Sequence, residues 1–422
     1  MGTLPDIFYE DLSCLLSIRS VNGDCGPTGP DAPLGRGVAQ AIEAFLAIGR
    51  RMGFHTVNLD GYAGYVQWGD TGPVVAILTH LDTVPAGGEW AASPFALTRR
   101  EGKLYGRGVC DDKGPALVSL YAMQALRESG YCSTCRVRLI VGGDEESGGN
   151  RCLARYKKTE EAPVAAFSPD GDFPLIFAEK GILRITLSGT FPPEDFTLSA
   201  GTQVNVVPSS ACAHWHGETI RATGVSAHAM APSLGVNALL KLGRLLRERG
   251  ADHPLLRLLD IASTEGLGIC FSDELSGPLT FNPAIAELDE MGRCSLQCDI
   301  RVPVTVNKEA VVRAIRDRVQ PLGFTLGAEQ FLPPLHVPQD GPLVTALLGA
   351  YRQVTGDMRP PVSSGGATYA REFPNAVAFG MLFPGEEITF HRENECWSEK
   401  SLQTGFDILT EAIRAVCRVY GA

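Results

Sequence analysis

Two adjacent acids, Glu145 and Glu146, lie in residues 143–149 (GDEESGG), directly after an apolar run at residues 137–141. Neighbouring side chains point in different directions, so one carboxylate could hold a metal ion while the other faces a reacting water. An acidic pair on a loop is also a common feature of solvated surfaces. The pair therefore indicates a site only if other potential ligands lie near it.

Four other potential metal ligands occur at the ends of expected strands or in the loops that follow them. With Glu146, the complete set is His80, Asp111, Glu146, Asp170 and His391. Because the carboxyl ends of strands line the ligand crevice of an open α/β sheet, we expect these side chains to converge. Two imidazoles and three carboxylates suit Zn²⁺, Mn²⁺ or Co²⁺. Five ligands also suffice for two ions if one carboxylate bridges them.

Each ligand also has a structural interpretation when it is taken alone. A histidine at a strand end is commonly a hydrogen-bonded structural group. Asp111 and Asp112 could cap the helix that follows them, and residues 170–172 (DGD) could form a plain turn. The combined arrangement favours a metal site over these separate interpretations.

Short apolar runs alternate with a helical pattern in the first 170 residues. Residues 73–80, 135–143 and 162–168 are typical of buried strands, and residues 114–129 are typical of a helix. This alternation predicts an α/β fold, with a mixed, mostly parallel sheet flanked by helices.

The pattern changes in the middle of the chain. Residues 182–190 and 294–302 alternate apolar and polar side chains, as strands with one solvated face do. The first pattern then returns, with a buried strand at residues 375–383 and a closing helix at residues 401–420. We therefore expect one catalytic domain that is interrupted by an inserted α+β lid domain. The predicted parts are 1–179 (catalytic), 180–334 (lid) and 335–422 (catalytic).

Composition excludes several classes of partner. The 422 residues carry a net charge of -11, which argues against nucleic acid and anionic membranes as partners. No apolar run reaches the roughly 18 residues of a membrane span, and the N-terminal residues lack the pattern of a secretory signal. The twelve cysteines are scattered, which favours reduced thiols in the cytoplasm.

Five segments, in this order, resemble the metal and catalytic segments of the co-catalytic di-zinc peptidases: HLDTVPAG (80–87), GRGVCDDKGP (106–115), GDEESGG (143–149), SPDGDFP (168–174) and FHRENE (390–395). That family includes aminoacylases, glutamate carboxypeptidases and desuccinylases. Residues 155–181 are most similar to its bacterial branch of PepV-like Xaa-His dipeptidases. The resemblance covers most of the chain.

The resemblance implies a role for each matched ligand. Asp111 would bridge two divalent metal ions. One ion would be held by His80 and Asp170, and the other by Glu146 and His391. Zn²⁺ is the favoured ion, and Mn²⁺ and Co²⁺ are the alternatives.

The resemblance also implies three catalytic roles. Asp82 would accept a hydrogen bond from the imidazole of His80 and fix its tautomer. Glu145 would be the general base, taking a proton from a metal-bridging water and passing it to the leaving amine. His228, in residues 224–239, matches the lid histidine that would donate a hydrogen bond to the tetrahedral oxyanion.

Candidate residues for binding a substrate carboxylate lie between residues 205 and 366. Arg301 could clamp a carboxylate with two hydrogen bonds. The glycine turn with Gly365 and Gly366 could offer backbone N–H groups to an anion. Asn205 is a further matched polar residue.

The leading hypothesis is a metal-dependent dipeptidase acting on short peptides with a free C-terminal carboxylate. An N-acyl amino acid deacylase or desuccinylase of the same family is the first alternative, and a non-catalytic metal-binding relative is the second. The spacing from Asp170 to His228 is 58 residues (228 minus 170), between those of the family's dimers and of its dipeptidase branch. The expected oligomeric state is therefore open between a monomer and a homodimer.

Overall fold

The computed structural model describes residues 3–23 and 29–421. Its α-helices, in chain order, are α1 (Asp6–Ser17), α2 (Arg36–Arg51), α3 (Lys113–Glu128), α4 (Arg151–Thr159), α5 (Ala238–Glu248), α6 (Pro254–Asp260), α7 (Lys308–Val319), α8 (Pro342–Thr355) and α9 (Glu399–Tyr420).

The strands, in chain order, are β1 (His55–Leu59), β2 (Ala63–Trp68), β3 (Val74–His80), β4 (Thr98–Arg100), β5 (Lys103–Tyr105), β6 (Arg136–Gly142), β7 (Ala165–Ser168), β8 (Gly171–Asp172), β9 (Ile176–Glu179), β10 (Gly181–Thr190), β11 (Phe196–Ala200), β12 (Ser210–Trp215), β13 (Glu218–Thr223), β14 (Ser272–Asp273), β15 (Gly277–Pro278), β16 (Thr280–Leu288), β17 (Arg293–Val302), β18 (Thr325–Leu332), β19 (Leu335–His336), β20 (Val362–Ser364), β21 (Ala376–Ala378), β22 (Met381–Leu382) and β23 (Cys396–Ser398).

The chain divides into two compact units. The main unit comprises the described residues up to Phe177, together with Val337–Val362 and the chain from Thr368 onward. The insert unit comprises Ala178–His336 and the short segment Ser363–Ala367. The glycine turn at residues 365–366 therefore belongs to the insert unit, although most of the chain around it belongs to the main unit.

A mixed sheet forms the centre of the main unit, with the strand order β1-β2-β6-β3-β7-β21-β9. The central strands β6, β3, β7 and β21 are parallel, whereas β1, β2 and β9 pair with their neighbours in antiparallel fashion. Every residue of β3 is buried, as expected of a strand covered on both faces. Helices α3 and α9 pack against each other and against β3, and α2 and α4 contact β2. The predicted α/β class is confirmed.

The apolar run at residues 375–383 is not one strand, as the sequence led us to expect. It forms β21 in the main sheet and then β22, which pairs with β8 just after Asp170. Gly380 lies between them with a φ of 84°, a backbone conformation that favours glycine. A Cβ at this position would lie 2.3 Å from the ring of Phe173. Hydrophobicity alone did not reveal the break, because the run is apolar on both sides of it.

The insert unit is built on an antiparallel sheet with the strand order β13-β12-β11-β16-β17-β10-β18. Residues of β17 alternate between its two faces. Leu296, Cys298 and Ile300 join the apolar core of this unit, whereas Asp299 and Arg301 lie on the opposite face. Helix α5 packs on β12, β13 and β16. The alternation predicted for residues 294–302 thus separates an apolar core face from a face that carries charges.

Two expectations from composition concern cysteines and membranes. The eleven cysteines in residues 3–23 and 29–421 are all free thiols, and Cys25 lies outside the described residues. Among the helices that the structure describes, none combines the length and the apolar character needed to cross a membrane.

Candidate active site

Three neighbouring parallel strands of the main unit bring most of the predicted ligands together. His80 is the last residue of β3, where it lies opposite Gly142 at the end of β6. The loop with Glu145 and Glu146 follows β6, and Asp170 follows β7, which pairs with β3 on its other side. Strand order therefore places side chains that are far apart in sequence at one edge of the sheet.

Asp111 lies between two imidazoles. Its Oδ1 is 3.1 Å from Nε2 of His80, and its Oδ2 is 2.9 Å from Nε2 of His391. Glu146 Oε2 is also 2.9 Å from Nε2 of His391, and Asp170 Oδ2 is 3.7 Å from Nε2 of His80. The structure thus brings all five candidate ligands into one cluster, in which each oxygen of Asp111 faces a different histidine.

His80 shows that this donor set suits a cation. Its Nδ1 lies 3.0 Å from the backbone oxygen of Asp82, so a proton on Nδ1 donates a hydrogen bond there. That tautomer leaves the lone pair of Nε2 directed at the acids. The side chain is only 1% exposed, and among the described residues no hydrogen bond of standard geometry satisfies Nε2. A buried and unsatisfied imidazole nitrogen beside carboxylates is the arrangement of a metal ligand.

The electrostatics of the cluster reflect crowded acids. Burial, together with the charge of Asp111, raises the pKa of Asp170 to about 7. Burial lowers the pKa of His391, but Glu146 and Asp111 outweigh burial and bring that pKa to about 11. For Asp111, burial acts to raise the pKa, yet its contacts with His391 and His80 hold it below the usual range. Divalent cations would neutralise this concentration of negative charge more fully than shared protons do.

Glu145 lies beside the cluster without joining the contacts of His391. Its carboxylate, a ring nitrogen of His80 and a carboxylate oxygen of Asp170 all lie within 4.8 Å of one another. Burial and the charge of Asp170 raise the pKa of Glu145 well above its ordinary value. A carboxyl group with a raised pKa can hold a proton during a reaction near neutral pH.

Asp82 contacts both His80 and the acidic loop. Its carboxylate accepts hydrogen bonds from the backbone N–H groups of Glu145 (3.3 Å) and Glu146 (3.1 Å). The expected contact with the His80 ring is made mainly by the backbone oxygen of Asp82, since the carboxylate lies further away, at 3.4 Å. Asp82 is thus placed to orient the imidazole through its backbone and the acidic loop through its side chain.

The capping interpretation of Asp111 and Asp112 does not describe what their side chains do. Asp112 is the N-cap residue of α3, but its side chain makes no capping hydrogen bond. Its Oδ2 instead accepts a hydrogen bond of 3.0 Å from the backbone N–H of His80. Both acids therefore face the ligand cluster rather than the helix end.

Tyr369 is a residue of this region that the sequence did not single out. Its hydroxyl donates to Oδ1 of Asp144 (3.1 Å) and accepts from the backbone N–H of the same residue (3.3 Å). Asp144 immediately precedes Glu145 and is fully buried. Tyr369 therefore secures the start of the acidic loop, and its place three residues after Gly366 was the only signal in the sequence.

Arg301 in the insert unit is held by two groups. Its Nε and Nη2 donate to the two oxygens of Asp299, at 2.6 and 3.3 Å, and its Nη1 donates to the backbone oxygen of Gly365 at 2.8 Å. The structure therefore brings Arg301 and the glycine turn together, with Gly366 next in the chain. Asp299 therefore engages the Nε edge of the guanidinium, and Gly365 engages Nη1.

His228 and Asn205 lie on adjacent segments of the insert unit. Val206 and His228 form an isolated β-bridge, and the backbone N–H of Ala229 donates to the backbone oxygen of Asn205 at 2.9 Å. Nδ1 of His228 accepts a hydrogen bond of 3.2 Å from the backbone N–H of Met230. The neutral ring therefore carries its proton on Nε2, which makes that nitrogen a hydrogen-bond donor.

Comparison with known proteins identifies relatives over nearly the whole chain. Residues 76–415 match the model of peptidase family M20/M25/M40. The chain is 34% identical over 431 residues to the Bacillus subtilis (strain 168) protein named "Putative dipeptidase YtjP", with 92% of each chain covered.

Solved structures share the fold at low sequence identity. Human carnosine dipeptidase 1 has a TM-score of 0.65 at 15% identity, with 98% of this chain and 96% of that chain covered. The Bacillus subtilis YXEP protein, described as a dinuclear metal binding peptidase, has a TM-score of 0.58 at 13% identity, with 98% and 100% covered. At these identities the likeness shows the fold alone.

Proposed function

Because the chain belongs to peptidase family M20/M25/M40, we propose that it is a metal-dependent dipeptidase that hydrolyses short peptides with a free C-terminal carboxylate. The observation that carries the proposal is the position of Asp111 between the imidazoles of His80 and His391. The dipeptidase name of the Bacillus subtilis relative supports the choice of substrate class.

Two divalent ions fit the donor set. His80 and Asp170 would hold one ion, Glu146 and His391 would hold the second, and Asp111 would offer one oxygen to each. The description of the YXEP structure as dinuclear supports this number. Zn²⁺ is the favoured ion, with Mn²⁺ or Co²⁺ as alternatives. When bound, the ions would polarise the scissile carbonyl as Lewis acids and lower the pKa of water.

Glu145 would carry the proton through the reaction. It would take a proton from the attacking water and deliver it to the amine as the peptide C–N bond breaks. The acid and the amine are then released, and the Glu145 carboxylate is restored. The burial of Glu145 beside Asp170 supports this role, since a raised pKa favours the protonated state between the two transfers.

Residues of the insert unit would bind the substrate. His228 would donate a hydrogen bond from Nε2 to the oxyanion of the tetrahedral intermediate. Arg301 and the N–H groups of the turn at Gly365 and Gly366 would bind the C-terminal carboxylate. Asn205, on the segment adjacent to His228, would offer a further polar contact to the substrate.

A substrate panel tests the proposal. Metal-free protein is reconstituted with Zn²⁺, Mn²⁺ or Co²⁺ and is assayed on dipeptides, their C-terminal amides, and N-acetyl and N-succinyl amino acids. We expect hydrolysis of dipeptides and little hydrolysis of the amides. Release of acetate or succinate without cleavage of dipeptides would replace the proposal with a deacylase or desuccinylase. Stoichiometric metal binding without turnover of any substrate would favour the non-catalytic relative.

A further inference from the structure

Glu395 connects two loops of the main unit that each carry a candidate ligand. Its Oε1 accepts hydrogen bonds of 3.1 Å from the backbone N–H groups of both Gly108 and Cys110, just before Asp111. The thiol of Cys110 also donates to this oxygen, at 3.3 Å. Glu395 itself lies four residues after His391 and is fully buried.

Arg107 completes the connection from the other loop. Its Nη1 donates to Oε2 of Glu395 at 2.6 Å, and its Nη2 donates to the backbone oxygen of Arg392 at 3.1 Å. The backbone N–H of Gly106 also donates to the backbone oxygen of Glu395, at 3.1 Å. Arg107 is only 2% exposed. The loop before Asp111 and the segment after His391 are therefore joined by side-chain and backbone contacts.

We propose that Arg107 and Glu395 act as a positioning pair that sets the separation of Asp111 and His391, and thereby the affinity for the ion held between them. The inference rests on the proposed function, because it requires that Asp111 and His391 be metal ligands. Neither Arg107 nor Glu395 would touch the ion or the substrate.

The hydrogen bonds of Arg107 and Glu395 explain why this pair can fix the distance between Asp111 and His391. Both oxygens of Glu395 are occupied by directed hydrogen bonds, and Arg107 donates from two nitrogens to two different atoms of the segment 392–395. A buried ion pair with these additional bonds resists rearrangement, since breaking it leaves a charge without its partner inside the protein. His391 needs such support because its own side chain is 45% exposed.

Two changes remove the pair in different ways. Glu395→Gln keeps an oxygen that can accept from Gly108 and Cys110, but it places an amide NH₂ against Nη1 of Arg107 and so breaks the ion pair. The double variant Glu395→Gln with Arg107→Met removes both charges and leaves no buried ion unpaired. The double variant therefore provides the test if the single variant does not fold.

Metal affinity, measured by competition with a chromophoric chelator for Zn²⁺, is the readout. We expect two ions in the wild-type chain. In the variants we expect the ion held by His391 to bind about 10- to 100-fold more weakly, the usual effect of losing a residue that orients a ligand. The other ion shares only Asp111 with the pair, so we expect its affinity to fall less. Asp11→Asn is the matched control, because Asp11 is a buried carboxylate that pairs with Arg51 and Tyr121 instead.

Measurements in His391→Ala protein distinguish an effect on the position of His391 from a general loss of stability. In His391→Ala protein the second ion is already lost, so adding Glu395→Gln should weaken the remaining ion, which His80 and Asp170 also hold, by less than about 10-fold. Equal weakening of both ions, a loss of about 10-fold or more in the His391→Ala background, or wild-type affinities in both variants would overturn the inference. A wild-type chain that binds no ions would instead overturn the proposed function.

Discussion

The carboxylate of Asp82 accepts a hydrogen bond of 3.1 Å from the backbone N–H of Glu146. Its other oxygen accepts from the backbone N–H of Glu145 at 3.3 Å, so one buried side chain holds both members of the acidic pair. Because Asp82 also follows His80 by two residues, it couples the end of β3 to the loop after β6. The proposed general base and a proposed ligand are thus oriented by the same group.

The first prediction concerns Asp82→Asn. An asparagine has one accepting oxygen, so one of the two loop N–H groups would face an amide NH₂. We expect kcat/KM for a dipeptide to fall about 10- to 100-fold, together with a weaker affinity for metal. Steady-state kinetics and chelator competition measure these two quantities. Asp70→Asn, at an exposed acid, is the control, and unchanged kinetics in Asp82→Asn would contradict the prediction.

The second prediction separates the two acids of the pair. Glu145→Gln should lower kcat by about 100- to 10 000-fold while two ions remain bound, since the proton acceptor is lost but the ligands are intact. Glu146→Gln should lose metal, because a neutral amide oxygen is a weaker ligand than a carboxylate. Metal content after dialysis, set beside kcat, distinguishes the two. Identical metal loss in both variants would contradict the assignment of Glu145 to proton transfer and of Glu146 to metal binding.

The third prediction concerns Arg301→Lys. A lysine cannot donate to both oxygens of Asp299 and also to Gly365, so its charge would not be held in the same place. We expect KM for dipeptides to rise about 10- to 100-fold, in line with the loss of a charge-assisted hydrogen bond. Arg293→Lys, an exposed arginine on the same strand, should be neutral. An equal effect on C-terminally amidated substrates would show that Arg301 does not bind the carboxylate.

The fourth prediction concerns pH and the stability of the insert unit. His253 is buried, and its Nδ1 accepts a hydrogen bond of 3.1 Å from the backbone N–H of Leu255 at the start of α6. Burial lowers the pKa of His253 below 6.5. The neutral ring therefore stabilises the folded state above pH 6.5, and this contribution to the free energy of unfolding is lost as the pH falls through the lowered pKa.

Urea unfolding at pH 7.5 and at pH 5 measures this loss. The variant His253→Asn keeps a side chain that can cap α6 but does not titrate, so the difference in stability between the two pH values should be smaller in the variant than in the wild type. His214→Asn, at an exposed histidine of the same unit, is the control. An unchanged pH dependence in His253→Asn would contradict the assignment.

Much of the candidate site could be predicted from local patterns in the sequence. Apolar runs that end in His80, or that precede Glu145 and Asp170, are typical of buried parallel strands, and such strands direct their carboxyl ends to one edge. The break at Gly380 could not be predicted in this way, because an apolar run of nine residues has the same composition whether or not the backbone turns within it.

Motifs and local periodicity were enough to predict the family, the α/β class and the residue types available for metal chemistry. The partners that those residues contact depend on the tertiary structure. It directs the Asp82 carboxylate to the acidic loop, engages one edge of Arg301 with Asp299, and pairs Arg107 with Glu395 across 288 residues of chain. Contacts of this kind depend on how strands and loops are brought together in space, and neither spacing nor hydrophobicity along the chain records that arrangement.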